Sequence, residues 1–336
     1  MRKKIFNVVK YLLFLLIGIA MLFLAFKGIN LKELWVDLKQ ANYWWVALAL
    51  SFGVLSHISR AMRWKLLIEP LGYNPKTTNT FYAVMIGYFA NLAAPRLGEI
   101  TRCGSLHKTD KIPFDSLIGT VIVERSIDLL MLIFITIAIF FAKMDFFGDF
   151  MKQHIFIPIS QKLSGLFPSS NWIWFLLLSI ISLIVILWFY RDKFAHLTIF
   201  KKVKKLVLGV ITGLKSVFKM KKFPAFIFHT LFIWSMYFLM TWTMVFSLPE
   251  TSGLGPIDGL FLLVIGSLGM VAPVQGGIGA FHWLVSMGLT LYGIPREKGL
   301  VYATISHESQ MLMVVILGVI SLYFVLMQNK KSYIAE

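Results

Sequence analysis

Long apolar runs alternate with short basic or Gly/Pro-bearing stretches along the whole chain. Runs at 11–26, 43–62, 117–142, 172–190, 224–248 and 300–327 are close to the roughly 20 residues that an α-helix needs to cross the hydrocarbon of a bilayer. Two further runs, 78–101 and 257–294, differ because each is broken near its middle. The polar stretch 27–42 reads as an interfacial helix, followed by Tyr43, Trp44 and Trp45 as an aromatic belt. Within 200–222, Val203, Leu206, Val207, Val210, Leu214, Val217 and Phe218 recur at helical spacing, with Lys201, Lys204, Lys205, Lys215 and Lys219 largely on the other side. That pattern predicts a basic amphipathic helix whose partner is an anionic membrane surface. The pattern as a whole predicts an all-α, polytopic helical membrane protein. It has about six full spans plus two re-entrant helical hairpins in a single integral membrane domain over 1–336.

The two breaks are spelled alike: APRLGEI at 94–100 and APVQGGI at 272–278. Each follows about fifteen mostly apolar residues, and each is preceded by an Ile-Gly pair, Ile86-Gly87 and Ile265-Gly266. Downstream, VIVERS at 121–126 parallels TISHES at 304–309. An internal repeat follows, its first copy at about 78–142 and its second at about 257–327. Proline removes a backbone donor and clashes with the preceding turn, so it breaks a helix. Inside a bilayer such a break survives only where protein or trapped water satisfies the freed N–H and C=O groups. Two matched breaks in one chain point to a transport site built between repeats.

Charge sets the direction of the spans. A net charge of +17 alongside 58 % hydrophobic residues excludes a soluble globular domain. A basic chain raises the question of nucleic acid, but here Lys and Arg cluster between apolar runs, as in cytoplasmic loops facing anionic lipid. No nucleic-acid partner is expected. Ala25-Phe26-Lys27 stands where a signal peptide would need small residues for cleavage, so the first run reads as a retained helix with a cytoplasmic N-terminus. Basic residues flank the first broken run at 60–76 and 102–111, so that run enters and returns on the cytoplasmic side. Asn329-Lys330-Lys331 reads as cytoplasmic, which places Arg296 outside and opens the second hairpin externally. The hairpins are therefore expected to be inverted and to face each other in a multi-pass protein of the cell (inner/plasma) membrane, with both termini cytoplasmic.

The candidate chemistry lies at the breaks. A helix starting after each break presents free N–H groups and a positive dipole end, suited to phosphate or carboxylate. Gly98, and the Gln275-Gly276-Gly277-x-Gly279 run, permit close backbone approach to a ligand, or serve simply as packing glycines. Arg60 and Arg63 share a face with Ser56; they either snorkel to the interface or form an anion-binding face. Arg96, Arg102 and Arg125 add guanidinium forks suited to phosphate. Glu99, Glu124, Asp128 and Glu308 balance these charges and would suit a cationic headgroup or a proton relay. Glu124 and Asp128 share a helical face, and Arg125 is placed to pair with Asp128 three residues on. An ion-pair cluster locking this helix to the first hairpin is the structural alternative.

Catalysis finds no footing. There is no Walker phosphate loop, HExxH, CxxC or GxSxG motif, so neither ATP-driven pumping nor common hydrolysis is expected. The histidines at 57, 107, 154, 196, 229, 282 and 307 lack ligand spacing, and Cys103 is alone, so no metal, cofactor or catalytic residue is expected. His307, beside Glu308, is the one histidine assigned to the substrate site.

The segments MRWKLLIEPLG, NLAAPRLGEITR, VIVERSIDLL and APVQGGIGAFHW resemble the motifs of the lysylphosphatidylglycerol synthase transmembrane-region family, the flippase-like membrane domain of multiple peptide resistance proteins. PRxGE (Pro95, Arg96, Gly98, Glu99) and ERxxD (Glu124, Arg125, Asp128) are the most specific parts. The resemblance spans nearly the whole chain and implies movement of a phospholipid or lipid-linked headgroup between leaflets. Full-length synthases carry a soluble aminoacyl-transferase domain after the membrane region; the sequence ends at Glu336 without one, so lysyl transfer is not expected. Two other readings stand beside transport: a membrane-embedded enzyme acting on lipid headgroups with Glu99 or Glu124 as base, and an accessory subunit of an envelope-lipid pathway.

Overall fold

A computed structural model describes residues 16–95, 97–144, 182, 220–272 and 274–335, with side chains as far as Gln328. Arg96 and Pro273 lie outside the described residues, as do the span expected at 172–190 and nearly all of the basic amphipathic helix expected at 200–222. All regular structure among the described residues is helical. In chain order the elements are α1 (Leu16–Phe26), α2 (Leu31–Gln40), α3 (Tyr43–Ile68), α4 (Thr77–Ala93), α5 (Leu97–Asp110) and α6 (Phe114–Ala142). After the undescribed stretch come α7 (Phe223–Met244), α8 (Pro256–Val271), α9 (Ala280–Thr290) and α10 (Arg296–Ala335). The segments Tyr43–Leu71, Phe114–Ala142, Phe223–Ser247 and Arg296–Gln328 are long and apolar enough to cross a membrane.

Local signals start the helices where the sequence places them. Asn30 and Asn42 cap α2 and α3 by accepting from Lys32 N–H and Trp44 N–H. Asp258 reaches back to accept from Gly255 N–H at the head of α8. α3 runs to Ile68 rather than ending near residue 62, and Arg60 and Arg63 are buried inside the bundle instead of marking its end.

Both broken runs are hairpins. At the mouth of the first, Asp110 at the end of α5 accepts from Lys76 N–H at 3.3 Å and Asn79 Nδ2 at 2.9 Å, so the chain has returned to where α4 began. α6 starts at this end and, with 29 residues, extends about 43 Å. At its far end Lys143 pairs with Asp258 in the first turn of α8. The second hairpin thus opens at the opposite end of the bundle; Tyr292, just after α9, closes its mouth against Phe261 of α8, ring centroids 5.6 Å apart. The hairpins enter from opposite sides and their tips touch, with Leu92 Cδ2 3.2 Å from where a Cβ on Gly276 would stand.

Within a bilayer, helices associate through close packing and polar contacts, not through the hydrophobic effect between them, so small residues matter at crossings. A Cβ on Gly87 would sit 2.9 Å from the Gly98 carbonyl oxygen, and one on Gly98 would collide with the Gly87 oxygen. The two legs of the first hairpin therefore touch backbone to backbone. In the second hairpin, a Cβ on Gly269 would lie 2.7 Å from Phe281 Cα. One core, including Met244, Phe261, Leu289 and Tyr302, joins α7–α10; a second, around Trp64, Val84, Leu106 and Leu117, clasps the first hairpin between α3 and α6.

Candidate functional site

Arg60 and Arg63 of α3 face Glu124 and Asp128 of α6, while Arg102 reaches the same acids from α5. Arg60 Nη1 lies 2.6 Å from Glu124 Oε1 and 2.8 Å from Asp128 Oδ2. Arg63 Nη2 lies 2.7 Å from Asp128 Oδ1 and 3.7 Å from Glu124 Oε1. Arg102 Nη2 meets Glu124 Oε2 at 2.5 Å, and its guanidinium carbon stands 4.3 Å from the centroid of the Trp64 ring. Trp64 is itself fixed by donating from Nε1 to Thr120 Oγ1 at 2.8 Å. Arg63 and Glu124 are wholly buried, and Arg60 and Arg102 are 3 % exposed.

This geometry corrects two sequence expectations. The arginines of α3 do not snorkel: two carboxylates lie opposite them at the same depth, and turning inward satisfies both partners. Arg125 does not pair with Asp128, which Arg60 and Arg63 already hold. Arg125 turns instead to the first hairpin and donates to Glu99 Oε1 at 2.9 Å, a pair that stays 43 % and 27 % exposed. The lock between α6 and the first hairpin exists, with Arg102–Glu124 as its bolt.

Among the described residues the cluster does not balance. Three guanidiniums face two carboxylates, and among the described residues these arginines make no further ion pair. The Nε groups of Arg60, Arg63 and Arg102 are buried without a hydrogen-bond partner. Leaving one buried charge without its partner costs about 3–5 kcal/mol, so a surplus positive charge held inside the bundle asks for an anion. Glu124 accepts from Arg60 and Arg102 at once, with Arg63 close by, which leaves it poorly placed to act as a base.

The helix start after the first break is partly used. Leu97 N–H donates to the Ala94 carbonyl, and Gly98 N–H donates to Asn91 Oδ1 at 2.7 Å. These two donors serve the hairpin itself and are not free for a ligand. Glu99 Oε2 is buried without a partner on the far side of its carboxylate from Arg125.

At the second break, Gln275 opens a single 3₁₀ turn, and Gly276, Gly277 and Gly279 take φ values of +56°, +78° and +81°. Glycine adopts these at no steric cost. The space beside Gly279 belongs to α1, since a Cβ there would meet Leu22 N at 2.5 Å and Gly18 O at 2.6 Å. For Gly279 the packing explanation holds. The Gly276 carbonyl accepts from His307 Nε2 at 2.8 Å, and Glu308 Oε1 lies 3.0 Å from His307 Nδ1.

His282 completes this second cluster. Its imidazole centroid is 4.9 Å from that of His307, and its Nε2 is 3.5 Å from Glu308 Oε1. The linear spacing of histidines gave no sign of it. The repeat did carry a sign: His307 and Glu308 stand where Glu124 and Arg125 stand in the first copy, the positions that reach across to a hairpin. A separate cavity of about 300 Å³ lies between α2 and the head of α10, lined by Asn30, Glu33, Asp37 and Lys298 and by none of the candidate residues.

The family model described as "Lysylphosphatidylglycerol synthase TM region" matches residues 11–318. Among curated proteins, the chain is similar to "UPF0104 membrane protein MJ1595" of Methanocaldococcus jannaschii, 30 % identical over 134 residues. That alignment spans 39 % of this chain and 40 % of the relative. No solved structure matches.

Proposed function

Since the chain belongs to the lysylphosphatidylglycerol synthase transmembrane-region family, we propose that it moves a phospholipid or lipid-linked polar headgroup between the leaflets of the cell membrane. The observation that carries this reading is the surplus guanidinium charge of the Arg60–Arg63–Arg102 cluster, buried beside the first hairpin. A lipid phosphate supplies the missing negative charge, and guanidinium groups match its oxygens in geometry. The half-exposed Arg125–Glu99 pair at the tip of that hairpin makes the first contact with the headgroup. The two hairpins, meeting at Leu92 and Gly276, then part alternately toward each leaflet, as inverted repeats do around a fixed site. In this reading both termini are cytoplasmic, and the basic stretch 200–222 rests on the anionic inner leaflet.

The full chain in vesicles with fluorescent phosphatidylglycerol in one leaflet tests this. Arg125→Ala and Glu99→Ala each slow leaflet exchange at least about tenfold, the effect of losing about 1.4 kcal/mol of headgroup interaction, while the protein stays monodisperse. Exchange unchanged by both substitutions overturns the reading.

A further inference from the structure

We propose that His282, His307 and Glu308 form a binding site for a divalent transition-metal ion of the Zn²⁺ class at the tip of the second hairpin. One ligand atom from each residue lies within 4.8 Å of the other two. The geometry around His307 carries the argument. A carbonyl oxygen only accepts, so Nε2, 2.8 Å from Gly276 O, holds a proton. In the neutral ring Nδ1 then presents a lone pair, aimed at Glu308 Oε1 only 3.0 Å away, and that oxygen is also an acceptor. Two acceptors at this separation repel unless a cation sits between them. His282 points its Nε2 at the same oxygen from 3.5 Å; its ring is 2 % exposed, and its buried Nδ1 has no hydrogen-bond partner.

Two of the three spacings suit a metal directly. Ligands about 2.0–2.1 Å from a tetrahedral Zn²⁺ stand about 3.3–3.4 Å from one another, close to the 3.0 and 3.5 Å that separate Glu308 Oε1 from the two imidazoles, whose own ligand nitrogens stand within 4.8 Å of each other. Two imidazoles and one carboxylate favour Zn²⁺ and its neighbours over Ca²⁺ or Mg²⁺. The Gly276 carbonyl orients the ligating ring from behind, as outer partners of metal-bound histidines do. Phe281 packs against both imidazoles and Phe26 against His282, giving apolar walls. Glu308 is half-exposed, which leaves a route of entry and a fourth coordination position.

The inference is independent of lipid movement, and its test reads metal alone. The full chain, with any affinity tag removed, is purified in detergent, stripped with a chelator and titrated with Zn²⁺ against a chromogenic competitor. About one Zn²⁺ binds per chain, and Co²⁺ in its place gives the visible absorption of a tetrahedral site. His282→Gln and Glu308→Gln each weaken binding at least about tenfold, while His107→Gln, on the first hairpin, does not. Glu308 is accessible enough that its variant keeps the fold, so that variant decides the matter even if His282→Gln aggregates. Uptake below about a tenth of an equivalent, or wild-type affinity in Glu308→Gln, overturns the proposal.

Discussion

Arg102 and Glu124 are joined twice, Nη2 to Oε2 at 2.5 Å and Nη1 to Oε1 at 3.4 Å, across the gap between the returning leg of the first hairpin and α6. Glu124→Gln leaves three buried guanidiniums facing one carboxylate. Breaking a buried pair from one side costs about 3–5 kcal/mol, so this variant unfolds at a clearly lower temperature in detergent. Adding Arg102→Met restores the original surplus of one positive charge. The double variant therefore loses less than the sum of the single losses, a non-additivity that thermal unfolding of all four proteins measures.

Gly98 and Gly104 sit on one helix, α5, and respond oppositely to a methyl group. A Cβ at Gly98 runs into the Gly87 backbone and into Asn91, 2.6 Å from its Nδ2, and neither leg can yield without opening the hairpin. Gly98→Ala costs about 1–3 kcal/mol or more. Nothing lies within 4 Å of a Cβ at Gly104, so Gly104→Ala is neutral or gains about 0.5–1 kcal/mol of helix preference. Thermal midpoints of the two variants check the contrast.

The hairpins were legible because proline and glycine inside an apolar run leave few structures that lipid tolerates, and the repeated spelling marked both breaks. The end of α6 at Ala142 and the start of α7 at Phe223 followed from hydropathy to within a residue. The end of α3 did not, because Arg60 and Arg63 look like a membrane edge until Glu124 and Asp128, over sixty residues away, are known to lie opposite. Local spacing likewise suggested Arg125 with Asp128, while tertiary competition for Asp128 gave Arg125 to Glu99. His282 was missed because hairpin-to-span contacts leave no periodic trace in sequence; only aligning TISHES with VIVERS marks the place where such a contact forms.

The contact of the two tips gives a mechanical test of alternating access. Leu92 Cδ2 and Met311 Sδ lie 3.2 and 3.6 Å from the Cβ position of Gly276, flanking the second tip from α4 and α10. In a Cys103→Ala background, Leu92→Cys with Met311→Cys places two thiols on either side of it. A short, cleavable thiol cross-linker ties the first tip to α10 past the second tip and stops lipid exchange, and cleavage restores it. Exchange that continues with the cross-link intact means that the first tip does not need to move away from α10.

The surplus charge can be cancelled without touching an arginine. Thr230 of α7 is buried, accepts from Arg63 Nη1 at 3.3 Å and donates to the Phe226 carbonyl at 2.9 Å. Thr230→Asp is nearly isosteric and puts a third carboxylate against Arg63, making three anions for three guanidiniums. The lost hydroxyl bond costs about 1 kcal/mol, and the new charge-assisted bond to Arg63 offsets it, roughly twice as strong as a neutral one. The variant therefore keeps its thermal midpoint. A cluster neutralised from within has no further call for a lipid phosphate, so exchange falls at least about tenfold, a loss of about 1.4 kcal/mol in binding. Thr230→Val separates the two effects: it removes the same hydroxyl but keeps the surplus, so it is less stable than Thr230→Asp yet exchanges lipid faster. If Thr230→Asp moves lipid at the wild-type rate, the excess positive charge is not where the headgroup binds, and Arg60, Arg63 and Arg102 serve only to hold the first hairpin against α3 and α6.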